Sequence, residues 1–405
     1  CISSAAEDGI RGQGEGWRKS EGVKGGAITE LREAEAAIRA TVAQAETMAE
    51  RPIDRVVVNL SCGHPASRLF NVRWPIGGRV VTEADIRRVV TEGRLQASVQ
   101  GREVIHTLPI DFTVDDTEGV SDPRGHLCET LKARLHIIDA ATTALLNLET
   151  VLARTELKVE ALVSSPLASG LSVLDADERE LGTTVVDLGG GTTSLAVFGD
   201  SQILHTAQIA VGGLHVTRDI ARGLSTSLEN AERLKTVYGS ADLSADVEDE
   251  LLTVELLGND VPHFEQISRA QLGRIIRPRM EETLELVREK LDGAGLGMAA
   301  SGRIVLTGGG SLLDGIRPLA ERILGAPVSV GRLSGAAFTR SVRLGRPKHI
   351  INLPENTAAA AGFATAAGLL FWAASAERPF GDIEFRENPP SGFLRKLVAF
   401  IRERV

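Results

Sequence analysis

The sequence predicts an α/β protein built from two related domains that face a common cleft, each interrupted by an inserted unit. Three observations carry that reading. Two strands rich in β-branched residues each run into three consecutive glycines, in VVDLGGGTTSLAV at 185–197 and RIVLTGGGSLLDG at 303–315. Between them the order is β-hairpin, strand, helix, inserted unit, helix, strand, glycine turn. The earlier half, with strand, insertion, helix and strand, reads as a degenerate copy of the same plan.

The first glycine loop is expected as a hairpin turn. Thr183–Leu188 and Thr193–Phe198 read as partner strands, with Gly189, Gly190, Gly191 and Thr192 between them. Consecutive glycines permit positive φ and keep side chains out of the way. Their N–H groups can then converge on an anion. Asp187 ends the first strand beside that cradle, where a carboxylate repels a phosphate unless it manages Mg²⁺ or a water. The alternative is an ordinary glycine-rich turn, and the second loop argues against it. There Ile304–Thr307 reads as a buried strand, Gly308, Gly309 and Gly310 as the turn, and Ser311 as a helix start. Strand, glycines and a helix N-terminus together suit phosphate or ribose. No GxxxxGK[ST] occurs, and Gly12–Gly16 has the wrong spacing for a dinucleotide fingerprint and reads as loop.

At 405 residues the chain is long for one core, so two or more domains are expected. With 43% hydrophobic and 24% charged residues it has globular composition, and a net charge of −9 argues against nucleic acid as a partner. Cys1, Cys62 and Cys128 fit neither a metal spacing nor a disulfide framework. The eight histidines form no HExxH pair, and His205 and His215 read as structural. The sequence opens on Cys1 with no secretory signal pattern and reads as starting part-way into a longer protein.

Along the chain, residues 1–26 read as loop, Ile28–Ala49 as a helix and Asp54–Leu60 as a fully buried strand. A small α+β unit follows, with a helix at Glu83–Val99 and strands at Val104–Phe112 and Lys132–Ile138. Ala140–Thr155 and Ser164–Leu174 read as helices around a strand at Val159–Val163. After the glycine hairpin come a strand at Ile203–Ile209, the pair Gly212-Gly213, and helices at Val216–Gly223 and Ser227–Tyr238. The second of these puts Glu232 and Lys235 on one face. Arg269–Asp292 reads as a long helix, kinked or restarted at Pro278. Ile316–Leu324 reads as helix and Val328–Val330 as strand.

These motifs resemble the actin, sugar-kinase and heat-shock-chaperone ATPase superfamily. VVDLGGGTTSLAV is similar to its second phosphate loop, Ala231–Lys235 (AERLK) to its adenosine-contacting AExxK helix, and IVLTGGGSLLDG to its adenosine loop. Within the superfamily the chain resembles FtsA, the bacterial cell-division actin homologue. That match runs through KGGAITEL at 24–31, DERELGTTVVDLGGGTTSLAVF at 177–198, VTRDIARGL at 216–224, PRMEETLELV at 278–287 and the C-terminal tail.

The resemblance implies an actin-like ATPase fold: 1–61 with 139–180 as the first core, 62–138 as an inserted family-specific subdomain involved in filament contacts, 181–218 with 297–376 as the second core, and 219–296 as an inserted upper lobe. It implies ATP and Mg²⁺ as cofactors, weak or no ATPase activity, and self-association into filaments. The FtsZ C-terminal tail is implied as partner, with Arg279 and Glu282 matching the contact region approximately, alongside other divisome proteins. One departure stands out. The family opens on a strand-turn-strand of the form D-[IL]-G-[ST]-[ST]-K, which has no counterpart here.

The last segment is a second functional signal. On a helix, Phe393, Leu394, Leu397, Val398, Phe400 and Ile401 form one apolar face, with Arg395, Lys396, Arg402 and Arg404 on or beside the other. Four basic residues against Glu403 leave +3 over Ser391–Val405. After the Pro/Gly-bearing linker at 377–392, residues 393–405 read as an in-plane anchor on anionic lipid, with docking on the protein's own body or on a sister subunit as the alternative. The resemblance favours the membrane, at the inner face of the cytoplasmic membrane at the division septum. Thr357–Ala376 carries no charge, but its Ala, Gly and Thr content suits a core helix near the nucleotide better than a bilayer span.

The reading is an FtsA-type protein that binds ATP with Mg²⁺, polymerises and ties FtsZ filaments to the membrane. Asp187 would manage the metal or its water, Gly189–Thr193 the phosphates, and Gly212, Gly213, Glu232, Lys235 and Gly308–Ser311 the ribose and adenine. The alternatives are a small-molecule kinase of the same superfamily or a pilus-assembly actin homologue.

Overall fold

The computed structural model describes residues 1–6, 9–242, 249–258, 263–296, 302–325, 341–348, 350–351 and 361–374. The chain opens on two antiparallel strands, β1 (Ile2–Ala6) and β2 (Gly9–Gly14), then a two-residue pair, β3 (Val23–Lys24) and β4 (Ala27–Ile28), where a loop is expected. Gly12 and Gly14 lie within β2, so that part of the glycine run is strand, while Glu15 and Gly16 follow it as loop. The strand forms because Ile2 and Ile10 have a core to enter, which the glycine-rich composition hides. Helix α1 (Leu31–Ala49) follows, and strand β5 (Arg55–Leu60) is half-buried except at Leu60, not fully buried.

A four-stranded antiparallel sheet comes next: β6 (Ala66–Val80), β7 (Arg102–Val114), β8 (Thr117–Val120) and β9 (Leu127–Ala141), in the order β6-β9-β7-β8. Helix α2 (Glu83–Gln96) covers one face, burying Ile86, Val89 and Val90 against Val72, Leu131 and Leu135. Each such side chain contributes about 1.5–3 kcal/mol. Thr82 and Asp85 form a capping box at the helix start, and Arg79 grips the Asp85 carboxylate with both terminal nitrogens at 2.6 Å. That grip holds the carboxyl well below the usual range, against its burial. Strand β6 is absent from the sequence reading because its alternation is broken by Pro75, Gly77 and Gly78, where its register with β9 also shifts.

Helix α3 (Thr142–Arg154) leads to β10 (Lys158–Ser164), which pairs in parallel with β5. Helix α4 (Ser165–Val173) is buried along its whole length, and helix α5 (Ala176–Leu181) is exposed except at the partly buried Glu178 and Arg179. The second main sheet has the order β13-β12-β11-β16-β17, from β11 (Thr183–Leu188), β12 (Thr193–Gly199), β13 (Gln202–Ile209), β16 (Arg303–Thr307) and β17 (Val342–Leu344). Inserted before β16 are α6 (Gly213–Gly223), α7 (Leu228–Tyr238), the hairpin β14 (Leu251–Leu256) and β15 (His263–Ser268), and α8 (Arg269–Gly293). Helix α8 runs unbroken through Pro278 instead of restarting there. Pro278 and Arg274, whose carbonyl loses its donor, are both exposed, so water can replace the missing bond.

Helix α9 (Ile316–Leu324), the short strand β18 (Ile350–Ile351), which extends the β1–β2 sheet, and α10 (Ala364–Ala374) complete the described chain. Helix α10 is the core helix expected from the uncharged stretch at 357–376. It lies along α4 so closely that a Cβ on Gly368 would stand 1.7 Å from the Ala168 carbonyl oxygen. Among the described residues no helix is long and apolar enough to cross a membrane. The strand expected at Val328–Val330 and the helix expected at 393–405 lie outside the described residues.

Candidate nucleotide site

The two glycine turns meet. Strands β11 and β16 are parallel neighbours, with Asp187 opposite Thr307, so both chains leave the sheet at the same edge. A Cβ on Gly308 would stand 2.2 Å from Asp187 Oδ1 and 2.7 Å from the Leu188 carbonyl, and one on Gly310 would meet Leu188 at 2.9 Å. Gly308 has φ +80°, the conformation that frees the chain to turn there. Gly189, Gly190 and Gly191 reach their turn without positive φ, so their use lies in the missing side chains and not in a left-handed backbone. Ser311 is the third residue of a 3₁₀ turn over Gly309–Leu312 and does not start a helix, and the α-helix begins only at Ile316. Its hydroxyl donates to the Gly308 carbonyl at 2.7 Å and is buried, so it braces the turn.

The start of α6 closes the site from a third direction. The Gly213 and Leu214 N–H groups donate to the carbonyls of Gly189 and Gly190 at 2.9 and 2.8 Å. Gly212 sits where a Cβ would strike both carbonyls, at 2.5 and 2.7 Å. His215 is structural here, its Nδ1 accepting the Gly212 N–H at 3.1 Å. Lys235 Nζ reaches back to the Gly213 carbonyl at 3.2 Å, Thr217 Oγ1 at 2.9 Å and Glu232 Oε2 at 2.7 Å. All three of its donors are thereby used, so Lys235 fixes α6, while Glu232 stays half-exposed beside it.

Asp187 is enclosed. Its Oδ2 accepts the Ser169 hydroxyl of α4 at 2.5 Å and the Thr365 hydroxyl of α10 at 2.9 Å. Burial pushes the carboxyl up, and the two hydroxyls oppose that shift. The fit to an anion rests on the turn beside it. Among the described residues no acceptor meets the N–H of Gly190 or Gly191. A Cβ on Gly190 would touch only Leu214, at 3.9 Å, and one on Gly309 nothing. Open glycines with free N–H groups suit a phosphate, and an enclosed carboxylate with Oδ2 committed suits a water of a hydrated cation better than direct ligation.

Two contributors escape the sequence reading. The turn between β3 and β4 brings Gly25 and Gly26, both at positive φ, against Gly191, with Gly25 N 3.4 Å from a Cβ placed there. Ser169 and Thr365 hold Asp187, and their only signal is a hydroxyl in an uncharged helix. Arg279 and Glu282 lie on α8, away from these turns. Arg279 pairs with Asp219 of α6 at 2.6 Å and with Glu282. The membrane-facing residues proposed at Phe393–Arg402 lie outside the described residues, and no three His, Cys, Asp or Glu residues among those described form a metal cluster.

Comparison with known proteins gives the family. The family model "Cell division protein FtsA" matches residues 184–368, which span both glycine turns, and "SHS2 domain inserted in FTSA" matches 62–139. The chain is 40% identical to the cell division protein FtsA of Agrobacterium fabrum over 89% of its own length and 78% of that protein's. It is 31% identical to that of Escherichia coli K12 over 95% and 90%. The PilM-PilN type IV pilus biogenesis complex superposes with a TM-score of 0.61 at 17% identity, over 92% of this chain and 94% of that one, a likeness of fold. The chain belongs to the FtsA family of cell division proteins and has their actin-like α/β fold with an SHS2 insert.

Proposed function

We propose that this protein binds ATP with Mg²⁺ between the two glycine turns, polymerises, and ties FtsZ filaments to the inner face of the cytoplasmic membrane at the septum. The observation that carries the nucleotide part is the convergence of Gly189–Thr192, Gly212–Gly213 and Gly308–Ser311 around Asp187 and Leu188. In this reading the Gly190 and Gly191 N–H groups hold phosphate oxygens. Asp187 orients a water of the cation, and Glu232 accepts from the ribose. Bound Mg²⁺ would supply charge neutralisation on the phosphates.

The two inserts, 62–138 and 219–296, are the surfaces assigned to filament and FtsZ contacts, with Arg279 and Glu282 as weak candidates for the latter. Family membership supports the division role and other divisome partners. The +3 amphipathic segment at 391–405 supports peripheral attachment to anionic lipid. The test is calorimetric titration of ATP with and without Mg²⁺. Micromolar, Mg²⁺-dependent binding is expected, and no heat at millimolar ATP would overturn the reading.

A further inference from the structure

Three histidines meet where the β6-β9-β7-β8 sheet joins the rest of the molecule, and nothing in the nucleotide reading uses them. His136 of β9 is fully buried. Its Nε2 lies 2.6 Å from Ser67 Oγ of β6. Ser67 Oγ also lies 3.3 Å from His205 Nδ1 of β13 and accepts the Thr206 N–H at 3.1 Å. One serine thus ties the inserted sheet to the outer strand of the second main sheet. A few residues away His106 of β7 accepts the Ser164 N–H at 3.0 Å and packs edge-on against Trp372 of α10. The seam therefore touches both halves of the molecule.

We propose that this seam is an acid-sensitive latch, which opens the inserted sheet from β13 on uptake of one proton by His136. The argument is geometric. Among the described residues, His136 Nδ1 is buried and makes no well-formed hydrogen bond, with the Ile203 main chain the one polar group facing that side of the ring. Whichever ring nitrogen carries the proton in the neutral form, Ser67 satisfies only one of them. A second proton would place a charge in a dry site. The groups facing it offer no counter-ion: Ser67 and Leu69 from β6, His106 and Leu108 from β7, His205, Thr206 and Ile203 from β13. The nearest carboxylate along β9, Asp139, is already gripped by Arg68 and Arg102. Behind His205 stands another cation, Lys290. Burial, with His205 and His106 beside it, pushes the His136 ring down to about 3, the Ile203 main chain opposing.

The closed seam therefore excludes a proton that the opened seam accepts near the ordinary histidine value of about 6.5. Closure is fully favoured above that pH and loses ground as pH falls below it. One proton per opening raises the open fraction about tenfold between pH 7.5 and 5.5.

The experiment is hydrogen exchange on the full chain across that range, with protection factors corrected for intrinsic rate. Peptides covering Ser67–Val72 and Lys132–Asp139 should lose about tenfold protection, while β11 and β16 stay unchanged. His136→Gln, whose amide reaches Ser67 without charging, should reduce the slope, with His205, also held down by burial, keeping the remainder, and Ser67→Ala should lower protection at every pH but keep the slope. An unchanged slope in His136→Gln overturns the proposal, as does pH-independent protection in the wild type. Should His136→Gln fail to fold, histidine NMR of the wild type decides. A ring that stays neutral below pH 5 in the closed state supports the latch, and one that titrates near 6.5 without opening overturns it.

Discussion

Asp187 and Thr365 are 178 residues apart in sequence and 2.9 Å apart in space. Ser169 bonds the same oxygen and lies 2.9 Å from the Thr365 hydroxyl, so one buried carboxylate is the meeting point of β11, α4 and α10. Asp187→Asn keeps an acceptor for both hydroxyls and removes a buried charge. It should leave Tm unchanged or raised and lower Mg²⁺-ATP affinity at least tenfold, on the scale of a hydrogen bond to a charged group at about 1.5–3 kcal/mol. Asp187→Ala also removes an acceptor from the two hydroxyls, which keep each other and the Ser165 carbonyl, and should cost about 0.5–1.5 kcal/mol of stability in urea unfolding. Equal Mg²⁺-ATP affinity in wild type and Asp187→Asn, by calorimetry, would remove the carboxylate from the site.

Two neighbouring glycines should respond oppositely to alanine. At Gly212 a methyl would collide with two backbone carbonyls at 2.5 and 2.7 Å, so Gly212→Ala should cost about 1–3 kcal/mol or more. At Gly190 the space is open, so Gly190→Ala should fold with wild-type Tm and lose nucleotide affinity instead. Thermal melts with and without ATP separate the two. A Gly190→Ala protein that binds as tightly as wild type shows that no phosphate contacts that turn.

Glu178 supplies an acid-side dependence. Burial pushes its carboxyl up. Bonds from Arg343, the Asp175 N–H and Arg303 outweigh that and hold it at about 2. A depressed carboxyl stabilises the fold above its unfolded value near 4.5 and loses that contribution as pH falls towards 2. Glu178→Gln should therefore melt below wild type at pH 7, with the gap closing between pH 4.5 and 2. A gap that persists undiminished at pH 2 would place the effect in packing and not in charge.

The anchor reading is tested by deletion of Phe393–Val405. The full chain should sediment with phosphatidylglycerol-containing liposomes and lose that binding as salt rises. The truncated chain should stay in the supernatant. Equal pelleting of the two contradicts an anchor in this segment.

The sequence makes the glycine turns legible because strand patterning and glycine runs are local signals. Thr183–Leu188 is a strand and Ile316–Leu324 a helix, as expected to the residue. What stays hidden depends on distant partners. Ile2 and Ile10 become strand residues only where a core awaits them, and β6 follows its neighbour β9 across Pro75 despite the interruption. Ser169 and Thr365 are unremarkable until the fold brings them to one oxygen atom. Lys235 reads as a ligand contact, and the bonds of its ammonium to Gly213, Thr217 and Glu232 are a second role that the sequence does not display.

Helices α4 and α10 touch main chain to main chain at Ala168 and Gly368, with no side chain between them. Such a contact fixes the register of the two helices. Sliding one along the other would carry Ala367 or Leu369 into the place only a glycine fits. Ser172, which donates to the Ala364 carbonyl at 2.7 Å, resists that slide as well. Asp187 lies beside this contact, bonded to α4 through Ser169 and to α10 through Thr365, so the pairing of the two helices also sets the place of the carboxylate.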